Sequence, residues 1–126
     1  MSVKYNVIQK VNPRDPQGPR KFYPSIVSTS KMTRREVAKE AALVSSLSDG
    51  DTSNALDSIL TVIKKELLKG NIIDLGEFGS FWLKIESEGA ETEDLVQAAN
   101  ITRVSVQFRP GKELKEVLND IEFIKA

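Results

Sequence analysis

The chain of 126 residues contains no cysteine and no histidine. The first absence removes disulfides, thiolate metal sites and cysteine nucleophiles. The second removes the commonest general acid–base group, the commonest metal ligand and the usual partner of a catalytic serine. Long apolar runs are missing too. No stretch approaches the roughly 18 to 20 apolar residues that a membrane span needs, and the start, Met1 to Tyr5, has no apolar export signal. These gaps point to a soluble cytoplasmic protein that is not an enzyme, with no catalytic residues, no metal, no cofactor, no small-molecule substrate and no membrane partner. Asn100-Ile101-Thr102 fits a glycosylation sequon, which is chance in a protein without an export signal.

Net charge is also lacking, with 18 basic residues against 18 acidic, but the two signs are separated along the chain. Residues 1–35 hold eight basic side chains (Lys4, Lys10, Arg14, Arg20, Lys21, Lys31, Arg34, Arg35) and one acid, Asp15, a net of +7. Residues 86–94 hold five acids (Glu86, Glu88, Glu91, Glu93, Asp94) and no base. A polarised chain of this kind suits an anionic partner better than its zero sum suggests.

The periodicity predicts an α+β chain. Residues 3–10 and 22–29 read as strands joined by a loop, Asn12 to Pro19, with three prolines and Gly18. Pro24 suits an edge strand or a strand start. Thr33-Arg34-Arg35-Glu36 is a capping-box pattern, followed by Val37, Ala41 and Val44 on one helical face. A second helix is expected to open near Thr52, with Leu56, Ile59, Leu60, Ile63 and Leu67 as its apolar stripe and Gly70 as the residue after its end. Strands are expected at 71–75, through Phe81, Leu83 and Ile85, and from Ile101 to Phe108. A short helix over 112–119, with Leu114 and Leu118 inward, and a last strand at 121–124 complete the pattern. A net acidic tip with no apolar spacing reads as disordered; as a paired-carboxylate catalytic site it has no supporting constellation.

Two motifs carry a family resemblance. Leu75-Gly76-Glu77-Phe78-Gly79-Ser80-Phe81 resembles the strand–turn–strand signature of the bacterial histone-like HU/integration host factor family, and Gln107-Phe108-Arg109-Pro110-Gly111-Lys112-Glu113-Leu114-Lys115 resembles its return strand and C-terminal helix. The likeness covers about residues 31–119. It implies an intertwined homodimer with a helical body, a β-sheet and a protruding two-stranded arm, here about residues 84–106. Residues 31–126 would then be the HU-like DNA-binding domain, and residues 1–30 an N-terminal hairpin with a basic, proline-rich loop, as in a longer branch of HU-like proteins.

The same resemblance implies a nucleoid protein that binds double-stranded DNA with little base specificity, through lysine and arginine on phosphates. Lys112 and Lys115 match the family's phosphate-facing helix lysines, beside backbone N–H groups that favour anions. Arg109, Arg103 and Lys84 match positions at the base of the arm. Arg34 and Arg35 open the first helix, where a solvated face is the alternative. Arg14, Arg20 and Lys21 read as a solubilising loop, with a second phosphate-tracking element as the other reading. Phe78, Phe81 and Phe108 match core aromatics; Trp82, pointing opposite to Phe81, is read as an interface residue.

The departure from the family lies at the arm. The family's arm carries arginines and a tip Asn-Pro, whereas Ile85 to Gln97 has five acids, no base and no proline. Carboxylates there would be repelled by phosphate rows, which shifts the expected contact to Lys112, Lys115 and the basic N-terminal segment. The alternative function is an HU-like dimer that no longer binds DNA and serves as a structural or protein-interaction module, its acidic tip facing a basic partner.

Overall fold

The computed structural model describes residues 2–126. Two compact units emerge: residues 34–116, and residues 1–33 together with 117–126.

The first unit begins with α1 (Arg34–Leu43) and α2 (Asp49–Leu68), which pack on each other. α1 starts immediately after Thr33, where the capping pattern puts it. Its buried residue is Ala38, 2% exposed, whereas Val37 and Val44 of the expected inward face stay exposed. α2 opens earlier than the sequence suggests. Ser48 is the N-cap, its hydroxyl accepting from the Asp51 N–H at 3.1 Å, and Thr52 sits inside the first turn with its hydroxyl donating to the carbonyls of Ser48 and Asp49. Two cap-forming residues compete in this stretch, and the serine wins because Asp49 and Asp51 then fall in the first turn, where the helix dipole favours acids.

The other end of α2 closes as a Schellman motif. Gly70 (φ 85°) donates to the Leu67 carbonyl at 2.9 Å, and Asn71 donates to the Glu66 carbonyl at 3.1 Å. The Glu66 carboxylate accepts from Lys69 Nζ at 3.1 Å and from Asn71 Nδ2 at 2.7 Å. These two hydrogen bonds hold its carboxyl below the usual range.

A sheet in the order β3 (Ile73–Asp74), β4 (Gly79–Ser87), β5 (Ile101–Pro110) completes this unit, all antiparallel. β3 is only two residues long because Gly76, at φ 65°, and the Asp74 carboxylate, accepting from the Gly76 N–H, turn the chain early. The segment expected to be disordered, beyond Ser87, instead forms two 3₁₀ turns, Glu93–Leu95 and Ala98–Asn100. The Asn100 side chain accepts from the Gln97 N–H at 2.8 Å, and the Asn100 carbonyl accepts from the Glu88 N–H at 2.8 Å. Local side-chain capping thus orders a stretch whose composition alone argues against order. α3 (Lys112–Asn119) follows β5 as expected, and the boundary between the units falls within it.

The second unit is a three-stranded sheet in the order β2 (Lys21–Ile26), β1 (Ser2–Lys10), β6 (Glu122–Lys125). β1 and β2 form the expected hairpin, and Pro24 lies in β2, an edge strand, where its missing N–H costs least. The C-terminal strand pairs parallel with β1, Ser2 opposite Glu122 through Tyr5 opposite Lys125.

Little of the chain is buried. Among the described residues the buried set is Ala38, Thr52, Leu67 and Gly79. The accessible surface is 10844 Å². Two separate compact bodies of 43 and 83 residues would expose only about 8,000 Å² together. The surplus is about 2,900 Å² by that scaling, and exposed apolar side chains include Ile59, Leu60 and Val62 of α2 and Val104, Val106 and Phe108 of β5.

Candidate nucleic-acid interface

The ladder between β4 and β5 sorts the side chains of this ribbon into two faces. Directly opposed residues share a face of an antiparallel pair. Phe81 pairs with Phe108, Leu83 with Val106 and Ile85 with Val104 on one face. Ser80 pairs with Arg109, Trp82 with Gln107, Lys84 with Ser105 and Glu86 with Arg103 on the other. One face is therefore apolar throughout, and the other brings together three of the cations singled out in the sequence: Lys84, Arg103 and Arg109. Arg103 and Arg109, six residues apart, span about 20 Å along the strand.

On the apolar face the Phe81 and Phe108 rings lie 4.7 Å apart between centroids, and Phe78 adds a second contact to Phe108 at 5.8 Å. Gly79 makes this stacking feasible. A β-carbon there would stand 2.5 Å from Phe108 Cε2 and 2.6 Å from the Arg109 carbonyl oxygen, so no side chain fits. Trp82 is half-buried on the face that carries the cations, opposite to Phe81 as the alternation predicts.

β5 runs directly into α3, and the joint is held by the Glu77 turn. Gly111 donates to the Phe78 carbonyl at 2.9 Å, while Glu113 and Leu114 both donate to the Glu77 carbonyl, at 3.1 and 3.5 Å. A β-carbon on Gly111 would collide with the Glu77 backbone, so this packing of helix start against turn requires glycine. The consequence corrects one expectation. Two of the backbone N–H groups at the start of α3, read from the sequence as an anion-favouring feature, are already satisfied by Glu77. Lys112 and Lys115 are exposed and three residues apart on the helix; what they offer an anion is side-chain charge.

Arg34 and Arg35 lie elsewhere, on the first turn of α1. Arg34 Nε stands 3.4 Å from Asp57 Oδ1 of α2, and both side chains are largely exposed. Such a pair is worth little, about 0–1 kcal/mol, but it supplies Arg34 with a partner inside the chain. The two arginines border a shallow depression of about 150 Å³ with Ala38, Ser53 and Leu56. The seven residues singled out thus fall into three sets: Lys84, Arg103 and Arg109 on the ribbon, Lys112 and Lys115 on α3, Arg34 and Arg35 on α1. What sequence reasoning missed is the placement of Glu86 opposite Arg103, visible only once the register is fixed.

Among the described residues no group of three or more His, Cys, Asp or Glu side chains could hold a metal ion, and no helix is long and apolar enough to cross a membrane.

A helix pair, a strand–turn–strand through Gly76 and Gly79, a long ribbon and a return helix opened by Pro110-Gly111-Lys112 define the chain as an HU-like α+β protein. It belongs to the HU-HIG family, described as an HU domain fused to wHTH, Ig, or Glycine-rich motif, whose model matches residues 1–125. The match includes the N-terminal sheet. Among curated proteins the chain is similar to DNA-binding protein HRL18 of Rhizobium leguminosarum, 29% identical in an alignment that covers 70% of this chain and 99% of that protein. It is also similar to DNA-binding protein HU of Xylella fastidiosa, 28% identical over 69% of this chain and 95% of that one. A crystal structure of a Bacteroides vulgatus protein, named for an inferred bacterial DNA-binding role, shares the fold with a TM-score of 0.67 at 14% identity. The alignment covers 98% of this chain and 48% of that one, so this chain spans about half its length.

Proposed function

We propose that this chain is a DNA-binding architectural protein of the bacterial nucleoid that acts as a homodimer, grips duplex DNA mainly through phosphates and reads sequence weakly. The observation that carries this reading is the shared face of Lys84, Arg103 and Arg109 on a ribbon that leads straight into the helix of Lys112 and Lys115. Exposed cations in a row, set on rigid strands, fit a phosphate backbone without demanding base identity. The names of the HU and HRL18 relatives support the same reading. The surplus of exposed surface supports a second copy: about 2,900 Å² per chain by size scaling is of the order that obligate dimers bury.

The test is fluorescence anisotropy of a roughly 30-base-pair duplex at about 50 and 200 mM salt. Micromolar or tighter binding that weakens steeply with salt is expected, the slope counting contacts at about 0.9 per phosphate. A second reading, a module that has lost DNA binding and meets a basic protein partner, is favoured by one observation. Residues 34–116 hold eleven basic side chains against fifteen acidic, a net of −4. Absence of binding at the lower salt would establish that reading instead.

A further inference from the structure

The charge deficit of residues 34–116 is made up in the other unit. Residues 1–33 with 117–126 hold seven basic side chains against three acidic, a net of +4, and the β2–β1–β6 sheet sorts them. Ladder partners put Val3, Tyr5, Val7, Phe22, Pro24, Ile26 and Phe123 on one face, together with Gln9 and one cation, Lys125. The opposite face carries Lys4, Lys10, Lys21, Asn6, Ile8, Tyr23 and Ser25, with Ile124 beside Lys4 and a single acid, Glu122, at the end beside Ser2. Lys10 and Lys21 are directly opposite one another at the mouth of the hairpin.

Two ammonium groups facing each other across a ladder destabilise it. Neither lysine is ion-paired among the described residues, and Lys10 Nζ lies 5.5 Å from the centre of the Tyr23 ring. The loop beyond adds Arg14 and Arg20, both exposed. Its one acid, Asp15, turns its carboxylate onto the loop's own Gly18. Lys10, Lys21 and Tyr23 with Asn12, Asp15 and Pro19 border an open groove of about 560 Å³. The loop is held in shape by Asp15 donating to the Asn12 carbonyl and Gly18 to the Asp15 carbonyl, both at 3.0 Å, and by the Asn12 side chain accepting from the Arg14 N–H.

We propose that this basic face of the N-terminal sheet, Lys10 and Lys21 with the loop arginines Arg14 and Arg20, is a second duplex-DNA contact, binding phosphates in addition to those met by the cations of the β4–β5 ribbon. The inference rests on the DNA-binding reading above and deepens it. It explains how a unit of net −4 is compensated: the cations are held on an appended sheet, and an opposed lysine pair is tolerated because an anion relieves it. A phosphate between Lys10 and Lys21 removes the repulsion that the free protein carries.

The decisive comparison uses the full chain and Lys10→Gln/Lys21→Gln, with the same duplex titrated across about 50–200 mM salt. The variant should bind with a salt slope shallower by about two for each chain on the duplex, and weaker on the order of tenfold near 0.1 M salt. Its melting temperature without DNA should be equal to or above the parent's, since a like-charge pair is gone. A merely structural pair would not weaken binding while leaving the fold intact. Should the variant unfold, Arg14→Gln/Arg20→Gln, outside any strand, must lower the slope in the same way. Binding by the parent with an unchanged slope in the folded variant overturns this inference and leaves the DNA-binding reading standing. No binding by the parent overturns both. Self-association of the parent that the variant abolishes, with DNA binding unchanged, would assign the face to a second copy and likewise overturn it.

Discussion

Arg103 stands directly opposite Glu86 in the β4–β5 ladder, two pairs along from Lys84 and Ser105 counted residue by residue on β4. Opposed residues share a face, so a carboxylate sits in the same row as the ribbon's cations. No ion pair joins them within 4.0 Å among the described residues. Glu86 therefore lowers the local potential without locking Arg103 away. Glu86→Gln is expected to tighten duplex binding about twofold to fivefold at low salt, the equivalent of about 0.5–1 kcal/mol for an exposed charge. Anisotropy titration checks it, and unchanged affinity would place Arg103 outside the contact.

Lys112 and Lys115 carry a sharper expectation. Because Glu77 already takes the Glu113 and Leu114 N–H groups, the helix start has little backbone charge left to offer. Replacing both lysines with glutamate should then abolish duplex binding, while circular dichroism and the oligomeric mass stay as in the parent. A folded double variant with parental affinity would show that α3 does not face the DNA.

Much of this architecture was legible in the sequence. The order of elements follows from periodicity; α3 and β1 lie within a residue of where patterning puts them, and β2 starts there too but ends at Ile26, three residues short of the expected Thr29. The misplaced start of α2 has a local cause, since Ser48 and Thr52 are both able to cap and four residues apart. The order in residues 88–100 was hidden for a different reason. Composition describes an average, whereas the Asn100 side chain makes one specific bond to Gln97. The candidate cations were individually visible, but their grouping was not. Which face Lys84, Arg103 and Arg109 share depends on register, which pairs Phe81 with Phe108 and becomes visible only in the ladder.

Glu66 offers a test of the end of α2. Its carboxyl is held low by hydrogen bonds from Lys69 and Asn71. A depressed folded-state value means that the stabilisation is complete above the unfolded carboxyl's range and is lost as pH falls through the lower, folded value. Asn71→Ala removes one of the two donors. NMR titration should show the Glu66 carboxyl moving back up towards its usual range in that variant, with the Schellman backbone bonds retained. No movement would mean that the Asn71 contact does not persist in solution.

The second copy is the expectation with the widest reach. α2 exposes Ile59, Leu60 and Val62 as well as Leu68, the last 78% exposed, while only Leu67 on this helix is an apolar residue counted as buried. Full burial of one such side chain is worth about 1.5–3 kcal/mol, so the four together forgo up to about 6–12 kcal/mol, the same order as the stability of a small domain, about 5–15 kcal/mol. The apolar face of the ribbon adds Val104, Val106 and Ile85 to the same deficit. A second copy covering these side chains would recover that loss. Light scattering at micromolar concentration should thus give about twice the 14.0 kDa of the chain, and the melting temperature should rise with protein concentration, as mass action requires of a coupled folding and association. Leu60→Glu, at a position 40% exposed in the single chain, should be harmless if that surface meets water and should abolish both the dimer and cooperative unfolding if it meets a partner. A 14.0 kDa species that melts cooperatively and independently of concentration would refute the dimer, because the apolar stripe would then have found its cover within one chain.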